Sequence, residues 1–175
     1  MDRTGQECHN APVRLLRLLI VLSGIGLALA GVQPAAAGDS PTLLLPGGRA
    51  VTLEVASTPV QQNLGLMFRP SLADDHGMLF LFPAPDRYGI WMKNMLIPID
   101  ILWLDDHKRI IHIETNVPPC SREPCLIYQP ETPALYVIEL ADGTVTQTGL
   151  RPGLTLQWTT DRVESRTPPS QPNTR

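Results

Sequence analysis

Two carboxylates stand where a carboxylate is expensive. Asp100 lies among Ile97, Pro98, Ile99, Ile101 and Leu102, and Glu139 lies within the apolar run Val137 to Leu140. Turned inward, either would lose its water at a cost of several kcal/mol unless a cation or several N–H donors held it. Arg69 and Lys93 are the cations expected to hold Asp100. Asp100 and Glu139 are also the candidates for the acid and base of a hydrolase, provided that the fold brings them together. Structural charge pairing is the competing reading.

A second group surrounds Trp91. On a strand, neighbours point to opposite faces, so Trp91 and Lys93 share one face if Ile90 and Met92 take the other. An indole beside an ammonium, with Asn94 and Arg69 near, suits a sugar ring or an anionic group. The alternative is that Trp91 fills a core layer while Lys93 pairs with a carboxylate. Met92 and Met95, with His76 and His112, are the weak candidates for a soft metal such as Cu(I). Methionine as a filler of irregular core gaps competes with that reading. No G-x-S-x-G elbow, H-E-x-x-H element or glycine-rich phosphate loop occurs, and nothing calls for a cofactor. No motif dictates a reaction.

The 14 Lys and Arg against 17 Asp and Glu give a net charge of −3. The basic residues are scattered singly, without the dense patch that phosphate backbones require, so nucleic acid is excluded as an expected partner.

The N-terminal stretch reads as an export signal. Arg14 and Arg17 precede an apolar run, Leu18 to Val32, which ends at Ala35-Ala36-Ala37. Residues 1–37 are therefore expected to be a cleaved signal peptide, against the alternative of an uncleaved anchor. Val32 stands where a lipoprotein signal would need Cys, and the two arginines are not adjacent as a twin-arginine signal requires. The mature chain is expected in the periplasm or outside the cell, without a stable membrane span. Only Cys120 and Cys125 then remain, and in an oxidising compartment they read as a disulfide closing a small loop. The polar, proline-rich residues 159–175 are expected to be a disordered tail.

Residues 38–158 are left as one domain. Short apolar runs separated by Gly, Pro, Asn and Asp clusters predict antiparallel strands at Thr42–Leu45, Ala50–Ala56, Met78–Phe82, Gly89–Lys93, Pro98–Leu104, Arg109–Val117, Leu135–Leu140 and Leu154–Trp158. Thr58-Pro59-Val60-Gln61 forms a capping box that opens a short helix to about Leu66, with Val60, Leu64 and Met67 toward the sheet. Residues 143–150 fit a helical turn or a loop. The expected class is mainly β, a sandwich or roll with one or two short helices and no βαβ alternation.

Four segments occur in one order: Gly65-Leu66-Met67-Phe68-Arg69, Gly77-Met78-Leu79-Phe80, Trp91-Met92-Lys93-Asn94-Met95 and Ile97-Pro98-Ile99-Asp100. With Val137-Ile138-Glu139-Leu140, Gly143, Gly149 and Gly153, the chain from about Val51 to Trp158 resembles the family called domain of unknown function 192. The resemblance implies a compact, jelly-roll-like β domain, often exported, with no established activity. The expected function is non-catalytic binding of a small ligand or an envelope component. A hydrolase of an envelope glycan and a methionine-rich copper binder are the alternatives.

Overall fold

The computed structural model describes residues 40–159. The expected signal peptide, residues 1–37, and all but the first residue of the expected tail, residues 159–175, lie outside the described residues. Thr159 is described, and its backbone N–H and hydroxyl both bond to the backbone of Thr42.

The described chain is mostly β with two short helices. A hairpin opens it: β1 (Thr42–Leu44) pairs antiparallel with β2 (Ala50–Ala56). In β2 Val51 and Leu53 are buried while Thr52 is exposed, the alternation of a half-covered strand. Helix α1 (Pro59–Leu64) begins with the expected capping box. The Thr58 hydroxyl accepts from the Gln61 N–H, and the Gln61 side chain accepts from the Thr58 N–H. The helix ends two residues earlier than the sequence suggests, because Gly65 adopts φ 48°, ψ −134°, which a residue with a Cβ strongly disfavours.

Strand β3 (His76–Asp86) then runs parallel to β2. This pair departs from the expected all-antiparallel arrangement: the 57–75 segment carries α1 as a crossover over one sheet face. A six-residue helix is too short to announce such a connection by periodicity. A further correction concerns its orientation. Val60 is 78% exposed and Leu64 53%, and the side chain that reaches the sheet is Gln62, whose Nε2 donates to the Leu81 carbonyl at 2.7 Å.

After β4 (Ile90–Trp91), β5 (Ile99–Leu104) and β6 (Ile110–Val117) form a hairpin from the two strands expected there. The Asp105 carboxylate fixes its turn by accepting from the N–H groups of His107 and Arg109. β7 (Ile127–Tyr128), two residues that no pattern announced, pairs with β4. β8 (Ala134–Ala141) inserts between β3 and β5, α2 (Thr144–Thr148) follows, and β9 (Gln157–Trp158) pairs with β1.

The main sheet has the order β6-β5-β8-β3-β2-β1-β9. It curls until the segment before β9 meets the start of β6. There Ile110 N–H donates to Leu154, Leu156 N–H to Lys108, and Arg109 bridges Thr155. One face, with side chains from all seven strands, encloses a leucine-rich core that includes Leu53, Leu79, Leu102 and Ile138. The opposite face of the central strands carries Met78, Phe80, Ile101, Trp103 and Val137, and the long connections cover it with Leu66, Met92 and Met95. Burial on both faces explains why β5 reads as a nearly unbroken apolar run.

Candidate functional site

Asp100 and Glu139 are both buried, at 0% and 5% exposure, but they do not meet. In the β5–β8 register Asp100 opposes Leu140 and Ile101 opposes Glu139. Asp100 shares parity with Leu102 and Leu104, so it enters the enclosed core; Glu139 shares parity with Val137 and enters the outer layer. The acid–base pair of a hydrolase is therefore not assembled by these two residues.

Asp100 also departs from expectation in how its charge is held. One carboxylate oxygen accepts from the Asn116 N–H and the other from the Val145 N–H, each at 2.8 Å. Neither cation is involved. Val145 lies in the first turn of α2, whose N-cap is Gly143 in a left-handed conformation without a capping side chain. Asp100 thus supplies from β5 the acceptor that the helix lacks locally.

Glu139 is different. It lines a cavity of about 570 Å³ between α1, the 65–67 segment, the end of β3 and the short β4–β7 sheet. The lining is mainly apolar and aromatic, with Phe80, Phe82, Tyr88 and Trp91 among its residues, and Gln62 and Asn63 bring amides from α1. No Ser, Cys, His, Lys or second carboxylate joins Glu139 there. Its Oε2 is buried without a hydrogen-bond partner. Burial pushes the Glu139 carboxyl up to about 8, and the positive charge of Arg69 pulls weakly the other way. At neutral pH the group is mainly the uncharged acid, able to donate one hydrogen bond.

The walls follow from local chemistry. A Cβ on Gly65 would lie 3.4 Å from the Phe80 ring and 3.9 Å from Glu139 Oε2, so glycine keeps open the space above the acid. The indole N–H of Trp103 donates to the Tyr88 carbonyl at 2.8 Å, which anchors the chain where the Tyr88 ring stacks on Phe82 with centroids 3.5 Å apart. A Cβ on Gly89 would fall 2.6 Å from the Ile127 side chain, so a glycine there lets β7 close against β4. The mouth is greasy: Leu64, Trp91 and Ile127 line the cavity and are all exposed.

The remaining candidates fall around this cavity rather than inside it. Arg69 forms a two-pronged ion pair with Glu54 on β2, with Nη1 on Oε1 and Nη2 2.7 Å from Oε2. Lys93 does lie beside Trp91, its Nζ 5.6 Å from the ring centroid, and it pairs with Glu123 at 2.9 Å. Asn94 adopts φ 57° and its carbonyl accepts from the Phe68 N–H, a turn position that Asn tolerates well. The Cys120–Cys125 disulfide is present and closes the loop that carries Glu123. That loop leads directly into β7, so it borders the Ile127 wall.

The soft-metal candidates are not gathered. Met92 and Met95 are buried in the outer core layer. His76 contacts Asp75, whereas His112 contacts Glu114 and lies against Trp103. Among the described residues, the ligand-type side chains that come within reach of a common ion are Asp105, Asp106 and His107 in the β5–β6 turn, and none of the candidates belongs to that group. No helix among the described residues is long and apolar enough to cross a membrane.

Sequence reasoning identified Glu139, Trp91 and Arg69 but missed the cavity that relates them. Phe80, Phe82, Tyr88 and Ile127 read singly as ordinary core or loop residues. Gly65 was the available signal, since a glycine directly after a capped helix marks a turn in which a side chain would be strained.

Comparison with known proteins agrees with this architecture. Residues 42–158 match the family model DUF192, described as an uncharacterized ACR. A UPF0127 protein of Thermococcus gammatolerans is 30% identical over 119 residues, covering 66% of this chain and 72% of the relative. A UPF0127 protein of Thermococcus kodakarensis is 29% identical over the same length, covering 66% and 71%. Among solved structures, a protein of unknown function from Novosphingobium aromaticivorans superposes with a TM-score of 0.61 at 32% identity, covering 68% of this chain and 84% of that one. A Sinorhizobium meliloti protein described as a candidate transcription regulator superposes with a TM-score of 0.60 at 38% identity, covering 67% and 91%. With its family model spanning nearly all of the described residues, the chain belongs to the DUF192 family, whose activity is uncharacterized.

Proposed function

We propose that this protein is an exported, non-catalytic binding domain for a small, largely apolar ligand. The observation that carries the reading is Glu139: a buried carboxyl with an unpartnered oxygen at a cavity lined mainly by rings and aliphatic groups, with the amides of Gln62 and Asn63 as the other polar side chains of its α1 wall. Binding pockets commonly combine an apolar lining with a few placed polar groups, and about 570 Å³ suits a small organic molecule. An isolated acid without a nucleophile or second base favours recognition over catalysis. Export is supported by the Arg-flanked apolar run before Ala35-Ala36-Ala37 and by the disulfide. The description of the Sinorhizobium relative suggests action on nucleic acid, but 14 basic against 17 acidic residues offer no dense basic face for that purpose.

The test uses Nile red, a neutral planar dye whose carbonyl can accept from Glu139. Wild type should bind it saturably, one to one, with blue-shifted emission. Ile127→Arg, which charges the mouth, should weaken binding at least tenfold, while Val60→Arg, exposed and outside the lining, should not. Absence of saturable binding, or equal effects of the two variants, would refute the reading.

A further inference from the structure

The cavity has two properties that a neutral ligand leaves unused. Phe80, Phe82, Tyr88 and Trp91 bring four rings to it, and ring faces attract positive charge. The Trp91 ring already carries a cation, since Lys93 Nζ lies 5.6 Å from its centroid. The second property is a local excess of acid.

From β3 Glu139 is faced by Met78 and Phe80, from β5 by Ile101, and from the α1–β3 connection by Gly65. Arg69, on that same connection, is the charged group that acts on it, and both guanidinium prongs of Arg69 are engaged by Glu54. His76, near Glu54, is exposed and paired with Asp75. The Tyr88 hydroxyl donates to the Ala84 carbonyl, and Lys93 is paired with Glu123. The Arg69 guanidinium is therefore committed to Glu54, and ionised Glu139 is left without a cation paired to it.

Resting on the reading of this cavity as a ligand site, we infer that its occupant is an organic cation, an alkylated ammonium head set among the aromatic rings and paired with the Glu139 carboxylate. The rest of the ligand is apolar and fills the space toward Leu64 and Ile127. The proton balance follows directly. Glu139 enters as the neutral acid, which burial favours up to about pH 8; the cation stabilises the carboxylate, and the proton passes to solvent. One proton is released for each cation bound at pH 6.5. Affinity rises up to tenfold per pH unit and levels off above pH 8.

The probe is benzyltrimethylammonium, compared with neopentylbenzene, its neutral isostere. Calorimetry of the full mature chain in two buffers of different ionisation heat should show release of about one proton per cation. Displacement of Nile red should show at least tenfold tighter binding of the cation than of the isostere at pH 8. Glu139→Gln should abolish proton release and lower cation affinity at least tenfold, both read by the same calorimetry. Should that variant not fold, Trp91→Ala at the half-exposed mouth should weaken the cation more than the isostere. Equal affinity for cation and isostere, or binding without proton release, overturns the inference. Normal Nile red binding with the cation ignored overturns it and leaves the binding reading standing, whereas failure of both probes overturns both.

Discussion

Asp100 and Glu139 occupy neighbouring positions in the β5–β8 register, yet their carboxyls leave the sheet through opposite faces. One is saturated by backbone donors and the other has an oxygen with no partner at all. That division assigns Asp100 to the scaffold and Glu139 to the cavity.

Asp100→Asn should destabilise the fold. Only one side-chain oxygen remains, and the new amide opposes a backbone N–H, leaving a buried donor unsatisfied at about 1–3 kcal/mol. Lys93→Met should add to it within about 0.5 kcal/mol, because Lys93 pairs with Glu123 and not with Asp100. Thermal and urea melts of both single variants and the double variant measure this. A coupling well above 1 kcal/mol would restore the ion pair suggested by the sequence.

Glu139 should make stability fall as pH rises. The unfolded carboxyl titrates near its ordinary 4.5 and the folded one at about 8, so between these values the native state holds a proton that the unfolded chain has lost. Its contribution is full below pH 4.5, declines by up to about 1.4 kcal/mol per pH unit, and is gone above pH 8. Glu54, which its hydrogen bonds to Arg69 hold below the usual range, acts in the opposite sense and only at the acid end. Denaturant melts from pH 5 to 8.5 should show Glu139→Gln losing its deficit relative to wild type as pH rises. Parallel pH profiles would disprove the assignment.

Much of the scaffold was legible because local signals agree with it. The Thr58–Gln61 capping box, the strand at Ala50–Ala56 and the Asp105 turn all rest on neighbours in sequence. The parallel β2–β3 pair and β7 were not, since a six-residue helix and a two-residue strand have too little periodicity to register. The site was legible only in part. That Asp100 is inward followed from its apolar neighbours, but its partners lie 16 and 45 residues away on backbone N–H groups, which carry no side-chain signature. Likewise Glu139 revealed its burial, while the openness above it depends on Gly65, far away in sequence.

The Cys120–Cys125 bridge closes so small a ring that the loop-entropy model gives it about 2 kcal/mol. Reduction should add about 2 Da by mass spectrometry and lower the melting temperature by several degrees without unfolding the domain. The amides of Ile127 and Tyr128 should exchange faster, because the loop leads into β7. Unchanged exchange there would show that the bridge does not support the cavity wall.

Export predicts that protein from the envelope fraction begins at Gly38, after Ala35-Ala36-Ala37. N-terminal sequencing checks this. Recovery of the full-length chain from the cytoplasm would contradict it.

The most direct test of the central claim is a ¹³C carboxyl titration of glutamate-labelled protein from pH 4 to 10, with and without Nile red. The Glu139 resonance is assigned by its absence from Glu139→Gln. This carboxyl should titrate at about 8 in the free protein, and its signal should shift when the dye binds. A carboxyl that titrates near 4.5, or one that the dye leaves unmoved, would contradict it.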